Sequence, residues 1–148
     1  MSIQSWYVRL GNPIFTALLR SPLHGLVDSG TLLISVAGRR SGRIYTTPVN
    51  YLPDGDRLTI ISLRERTWWR NLRDGAEVGL RLRGTPRRGR ASVIEDEASV
   101  AGALGGYLRR VPAYARFLGV HLTTNGEPEA EDLAGAARSR VIVSVQLI

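Results

Sequence analysis

"TLLISVAGRRSGRIYTTPVNYLPDGDRLTIISL", residues 31–63, is the stretch that decides the fold. Three runs rich in β-branched and aromatic residues, 31–38, 43–52 and 57–63, are separated by "RRSG" and "PDGD", connections of hairpin length. They predict an antiparallel meander. Downstream, "EVGLRLRG" (77–84) alternates, with Val78, Leu80 and Leu82 on one side and Gly79, Arg81 and Arg83 on the other, as in a half-buried strand. "TPRR" reads as a turn, after which "GRASVIE" (89–95) pairs back. In the final "RVIVSVQLI", Val141, Val143, Val145 and Leu147 share a face opposite Ser144 and Gln146. Six strands with helices inserted before the last predict an α+β, mainly β fold: a six-stranded antiparallel barrel with short peripheral helices. Closure removes the sheet edges that invite aggregation.

The helices follow from caps and periodicity. Asn12-Pro13 and Ser21-Pro22 each place an N-cap before a proline at the first helical position, predicting short helices over 13–20 and 22–28 closed by Gly30. Thr67 is placed to cap "WWRNLRD", with Gly75 in a left-handed position after it. From about Asp96 to Arg110 a helix carries Val100, Leu104, Tyr107, Leu108 and Val111 on one stripe, and Pro112 ends it, leaving "AYARFLG" as a second piece. "TTNGEPEAEDLAGAA" reads as a loop and a short helix whose acidic side chains face solvent. No repeat or long linker divides the chain, so a single domain over 1–148 is expected, with an N-terminal helical segment at 1–29.

The totals agree with an ordinary globular protein: 148 residues, 43% hydrophobic and 22% charged. All 20 basic residues are arginine, and the formal net charge of +7 favours anionic partners. Cysteine is absent, which excludes disulfides and thiolate metal sites and permits a reducing compartment. No apolar run approaches the roughly 20 residues of a membrane span, and the N-terminus lacks a signal-peptide pattern, so the cytoplasm is expected. Trp6, Leu10, Phe15, Leu18 and Leu19 form an apolar face that docks on the barrel or rests on a membrane.

Few patterns carry chemistry. His24 and His121, the only histidines, lie far apart without metal-ligand spacing. Ser41 is not on a G-x-S-x-G elbow; "GRRSGR" lacks P-loop spacing, and "GALGGY" falls inside a helical pattern. Yet a tight turn flanked by Arg39, Arg40 and Arg43 suits a phosphate, through backbone donors and a bidentate guanidinium. In "SLRERTWWRNL" adjacent indoles on a helix point about 100° apart, so one can enter the core while the other lines a surface or cleft; core packing is the default for either ring, and Arg70 and Asn71 beside them offer polar groups to orient a planar heterocycle. The stripe Arg81, Arg83, Arg87, Arg88 and Arg90 raises nucleic acid as a partner, against which no recognised nucleic-acid motif is present. A non-catalytic barrel holding a lipid or anion is a further alternative.

Taken in order, "GRRSGRIYTTPVNYLPDGDRLTIIS" and "WWRNLR" resemble the deazaflavin-dependent nitroreductase and quinone-reductase family, whose members carry G-x-K/R-S/T-G-K/R, a proline-containing second strand, a DGD turn and a W-x-x-N-L helix. The resemblance covers about residues 30 to 120. It implies a split β-barrel binding the deazaflavin cofactor F420, with FMN as the alternative, and hydride transfer to a small-molecule electron acceptor: a quinone, a nitro compound or an activated alkene. It also implies the site. Arg40, Ser41 and Gly42, with Arg43, match the turn that holds the anionic tail; Thr47, Pro48 and Asn50 match the strand against the cofactor; Ser62 matches a serine near the ring; and Trp69 and Asn71 match the W-x-x-N helix. The substrate-side pattern Y-P-x-Y-x-x-Y appears as "VPAYARF", so Val111, Tyr114 and Phe117 would line a more apolar acceptor pocket. Tyr45 stands where nitroreductases carry a second basic residue, and the loop after Ser62 is shorter than in the family. No protein nucleophile is implied. Whether the chain pairs as a homodimer is left open.

Overall fold

The structure, a computed structural model, describes residues 30–148; the two helices expected over 13–20 and 22–28 lie outside the described residues. Six strands, β1 (Thr31–Ala37), β2 (Ile44–Asp54), β3 (Arg57–Leu63), β4 (Ala76–Leu82), β5 (Thr85–Ile94) and β6 (Arg140–Leu147), close into a barrel in the order β1-β2-β3-β6-β5-β4. The expected mainly β, α+β class is therefore met. Antiparallel pairing of β1 with β4, through Leu33↔Arg81, Ile34↔Leu80 and Ser35↔Gly79, closes the ring.

By compactness the described chain divides into two units. One comprises 30–61, 67–93 and 143–148; the other comprises 62–66 and 94–142. The first is centred on fully buried Leu32, Leu33, Ile34, Leu58, Ile60, Leu72, Val78 and Leu80. β1 is buried continuously from Leu32 to Val36, so both of its faces are covered.

The hairpin turns differ from expectation in their extent. In "PDGD" Pro53 and Asp54 pair with Leu58 and Arg57, so the reversal between β2 and β3 narrows to Gly55-Asp56, led by Gly55 at φ 62°. "TPRR" belongs to β5, and the chain reverses one step earlier at Arg83-Gly84, between the paired Leu82 and Thr85. Both turn residues have positive φ, 51° and 78°, the left-handed geometry whose twist suits a two-residue hairpin. A second difference concerns Arg81, read as solvent-facing: it is 6% exposed and its Nη1 donates to Gly84 O at 2.9 Å. The guanidinium thus braces the turn it precedes.

In the second unit α1 (Glu97–Arg110) begins at Asp96, whose carboxylate accepts from the Ser99 N–H at 2.9 Å, and buries Val100, Leu104, Tyr107 and Leu108 as its periodicity predicts. "GALGGY" lies within it. Pro112 starts a short 3-10 helix (Pro112–Tyr114), followed by α2 (Ala115–Leu118), which Gly119 ends at φ 70°. α3 (Ala130–Arg138) packs on α1, where Leu133 Cδ1 lies 3.4 Å from the place a side chain at Gly105 would occupy. Arg64 joins the unit's ends: its Nη2 donates to the carbonyls of Glu95 (2.7 Å), Arg140 (2.9 Å) and Ala137 (3.3 Å). Among the described residues no helix is long and apolar enough to cross a membrane.

Asp132 ties the loop before α3 to that helix, accepting from both the backbone N–H and Nδ1 of His121 at 2.9 Å. This hydrogen bond, with the carboxylate's charge, raises the His121 pKa above its usual 6.5, and the same bonds lower that of Asp132 below 3.8. The imidazolium contributes stability that is complete below pH 6.5 and disappears as pH rises through the raised folded-state value. The carboxylate's contribution, present above pH 3.8, is lost as pH falls through its lowered value.

Two predictions follow from the fold. Asp132→Asn returns the His121 titration midpoint, read by NMR, toward 6.5 and removes the stability change just above that pH. Gly89→Ala in β5 lowers stability by about 1–3 kcal/mol in urea titrations, because the added methyl meets Val145 Cγ1 and stands 3.1 Å from Gln146 O.

Candidate functional site

Barrel closure places the site. Extending the β1–β4 register brings the turn after β1 beside the residues that precede β4. Those preceding residues are the 3-10 helix Trp68–Leu72 and the link Arg73–Gly75. Arg39 N–H donates to Asn71 Oδ1 at 3.1 Å, while Asn71 Nδ2 donates to Trp68 O at 3.0 Å. One amide therefore fastens the basic turn to the tryptophan helix. Arg39 Nη2 adds a 3.4 Å contact to Asp74, 88% exposed, which ranks as a weak surface ion pair.

The turn is closed from within. Gly38 N–H donates to Arg43 O (2.7 Å), Gly42 N–H to Gly38 O (2.9 Å), and Arg43 N–H to Ser41 Oγ (3.1 Å). Gly38 has no room for a side chain, since a methyl there would sit 2.9 Å from Ser41 Oγ and 3.0 Å from the Tyr45 ring; Gly42 needs its left-handed φ of 70°. The expectation that the turn's N–H groups converge outward is thus corrected to two of them. Among the described residues only the Arg40 and Ser41 N–H groups of the turn lack a protein acceptor. The side chains of Arg40 and Arg43 are exposed and have no carboxylate partner among those residues.

The tryptophan helix departs from its sequence reading. It is a 3-10 helix, and Thr67, at the N-cap position, makes no side-chain cap bond. Both indoles are buried, Trp68 at 7% and Trp69 at 1% exposure, so core packing, the default for either ring, holds for both, and the alternative of one ring lining a cleft is not found. Arg73 and Arg70 lie over the Trp69 ring at 5.2 and 5.7 Å from its centroid, and its buried Nε1 has no partner among the described residues. The W-x-x-N spacing is met by Trp68 and Asn71, with Trp69 one residue on. Asp74 (φ 68°) and Gly75 (φ 87°) then turn the chain into β4.

On β2, Thr47 and Pro48 stand opposite Ile34 and Leu33 of β1. Successive strand residues project to opposite faces, so Pro48 and Asn50 share a side that Thr47 does not. Asn50 is exposed and accepts from Thr31 Oγ1 at 3.1 Å. In the second unit Ser62, 4% exposed, donates to Leu63 O at 3.2 Å. Tyr114 lies between Tyr107 (centroids 5.3 Å apart) and Phe117 (5.5 Å) with its ring tilted to both, Phe117 is 70% exposed, and Val111 caps α1 beside them. Burial, and to a lesser degree Tyr114, push the Tyr107 pKa up to about 12, leaving a neutral hydroxyl at physiological pH. No group of metal-ligating side chains occurs among the described residues.

Arg39 and Asp74 were missed as joint residues of the site. The Asp-Gly dipeptide was a turn signal, but their meeting depends on strand register.

A family model described as F420H(2)-dependent quinone reductase matches residues 21–117. No curated protein matches significantly in sequence. Among solved structures, one described as a domain-swapped dimer aligns with TM-score 0.55 at 14% identity, covering 98% of this chain and 100% of that one. A protein of unknown function from Agrobacterium tumefaciens aligns with TM-score 0.52 at 17% identity over 93% of this chain and 61% of its own. An F420 reductase gives TM-score 0.47 at 19% identity, covering 86% and 94%. The two higher scores match the fold.

Asn71→Ala removes the acceptor of the Arg39 N–H and the donor to Trp68 O. We expect a stability loss of about 1–2 kcal/mol and faster hydrogen exchange at the Arg39 amide, both measurable on the purified variant.

Proposed function

Since the chain belongs to the F420H(2)-dependent quinone reductase family, and is on that footing an oxidoreductase whose cofactor is F420, we propose that it passes a hydride to an electron-poor organic acceptor, a quinone before a nitro compound or activated alkene. The observation that carries this reading is the Arg39–Asn71 hydrogen bond, which holds the guanidinium-rich turn against the tryptophan helix. The turn suits the cofactor's anionic end in its donor set: two N–H groups without protein acceptors, at Arg40 and Ser41, beside two exposed guanidiniums, Arg40 and Arg43.

Bound in its reduced form, F420 supplies the hydride. The protein's part is binding and orientation. Arg40 and Arg43 neutralise the phosphate, Ser41 and Gly42 shape the turn around it, and Asn71 keeps the turn from swinging away. Pro48 and Asn50 offer one face of β2 to the cofactor; Thr47, Ser62 and Trp69 are assigned to its surroundings by resemblance. Val111, Tyr114 and Phe117 present the acceptor with an apolar surface carrying one hydroxyl, and Tyr107 fixes the Tyr114 ring. Because the chemistry resides in the cofactor, the lack of a nucleophile–base pair at the turn is no obstacle.

Fluorescence titration with F420 and with FMN tests the proposal. We expect saturable F420 binding, weakened about three- to tenfold by Arg40→Ala or Arg43→Ala, as suits partly exposed charge pairs, and weakened further by salt. Flat titrations with both cofactors at tens of micromolar overturn it.

A further inference from the structure

A cleft of about 470 Å³ crosses the outer wall of the barrel unit, and the basic turn does not line it. Arg57 enters it from β3, Ser144 and Gln146 from β6, and Arg90 and Ser92 from β5, with β6 running between the other two strands. Along β6 the polar pair alternates with buried Val143 and Val145, and along β5 Arg90 and Ser92 flank buried Ala91, so these side chains share the outward face. Asp74 and Gly75 form one end.

Three observations point to a small, compact anion. The first is spacing. Neighbouring strands stand about 4.8 Å apart, which separates Arg57 and Arg90 by about 10 Å across β6. Each stem can bridge half that gap, so both guanidiniums can reach one group seated above Ser144. The second is that their heads already lie in the cleft: Arg57 Nη2 reaches Gln146 Oε1 at 3.5 Å, and Arg90 Nη2 lies 3.4 Å from where a side chain at Gly75 would begin. The third is spare donor capacity. Among the described residues the side chains of Arg90, Ser92 and Ser144 make no hydrogen bond or ion pair, while the nearby carboxylates are engaged elsewhere, Asp74 with Arg39 and Glu77 with Arg88, each at 3.4 Å.

We infer that this cleft is an anion site in its own right, which takes the phosphate group of a small phosphate monoester between the guanidiniums of Arg57 and Arg90, with the Ser92 and Ser144 hydroxyls as neutral donors. Two planar forks match paired oxygens on a dianion. A monoester carries nearly two negative charges at neutral pH and three free oxygens, whereas a diester has one charge and fewer oxygens to offer. An extended polyanion would have to run past the Asp74 carboxylate at the end of the cleft. The site is independent of the proposed hydride transfer: it shares no residue with the turn and needs no bound F420.

The test is an NMR titration of isotope-labelled protein at fixed ionic strength, read at the Arg57 and Arg90 Nε–H signals and at the Ser92 and Ser144 amides. The probes are inorganic phosphate, glycerol phosphate and, as the diester, dimethyl phosphate, with sodium chloride as the control; shifts at Arg40 and Arg43 report the turn and are fitted separately. Saturable shifts with the first two probes, half complete at about 1 mM or below, are expected, and dimethyl phosphate is expected to bind at least about threefold more weakly. Arg57→Ser/Arg90→Ser weakens phosphate about tenfold at the serine amides, and Arg57→Lys/Arg90→Lys recovers only part of the loss, since an ammonium lacks the fork. Circular dichroism confirms folding; should the serine pair unfold, the single replacements Arg57→Ser and Arg90→Ser are read instead, each expected to cost about threefold. Shifts that sodium chloride reproduces, equal affinity for the diester, or affinity undiminished by the serine replacements overturns the assignment.

Discussion

Everything at the candidate site depends on β1 being hydrogen-bonded along both edges. Paired with β2 on one side and β4 on the other, it closes the ring, and its Leu32–Val36 segment is buried throughout. Antiparallel closure has a geometric corollary: the residues leaving β1 must face those about to enter β4. The basic turn and the tryptophan helix, some thirty positions apart in the chain, are brought together by a register that three β1–β4 pairs define. The Asn71 amide fixes an encounter that topology already requires.

This division clarifies how an exposed cluster of arginines can act as a site. Isolated surface guanidiniums gain little from binding, because salt screens them and long side chains lose entropy on ordering. Here the backbone beneath them is held by four hydrogen bonds, three internal to the turn and one to Asn71. Part of the ordering cost is thus met before any ligand arrives. Buried Trp69, with Arg70 and Arg73 over its ring, makes the tryptophan helix part of the core.

Local information made most of the fold legible. Runs of β-branched residues and alternation placed the six strands, periodicity placed α1, and Gly75 occupies the left-handed position expected of it. The errors fall where distant contacts override local preference. "TPRR" has the composition of a turn, but pairing of β5 with β4 extends through Thr85 and Pro86 and pushes the reversal onto Arg83-Gly84. Arg81 alternates like a surface residue yet is buried against its own hairpin tip. The two indoles differ in direction around their helix, and both directions lead into packed structure, the default for either ring. At the site, the turn's charge was readable from residues 38–43, whereas the roles of Arg39 and Asp74 were invisible without the register that joins them.

The guanidinium of Arg64 illustrates how much one part-buried cation can hold. Its Nη2 amino group alone gathers the carbonyls of Glu95, Ala137 and Arg140, which lie at the exit of β5, within the last turn of α3 and at the start of β6. Three distant segments are therefore sutured by a single nitrogen, whose two hydrogens are shared among three acceptors. Sequence drift in this unit has to move around that knot.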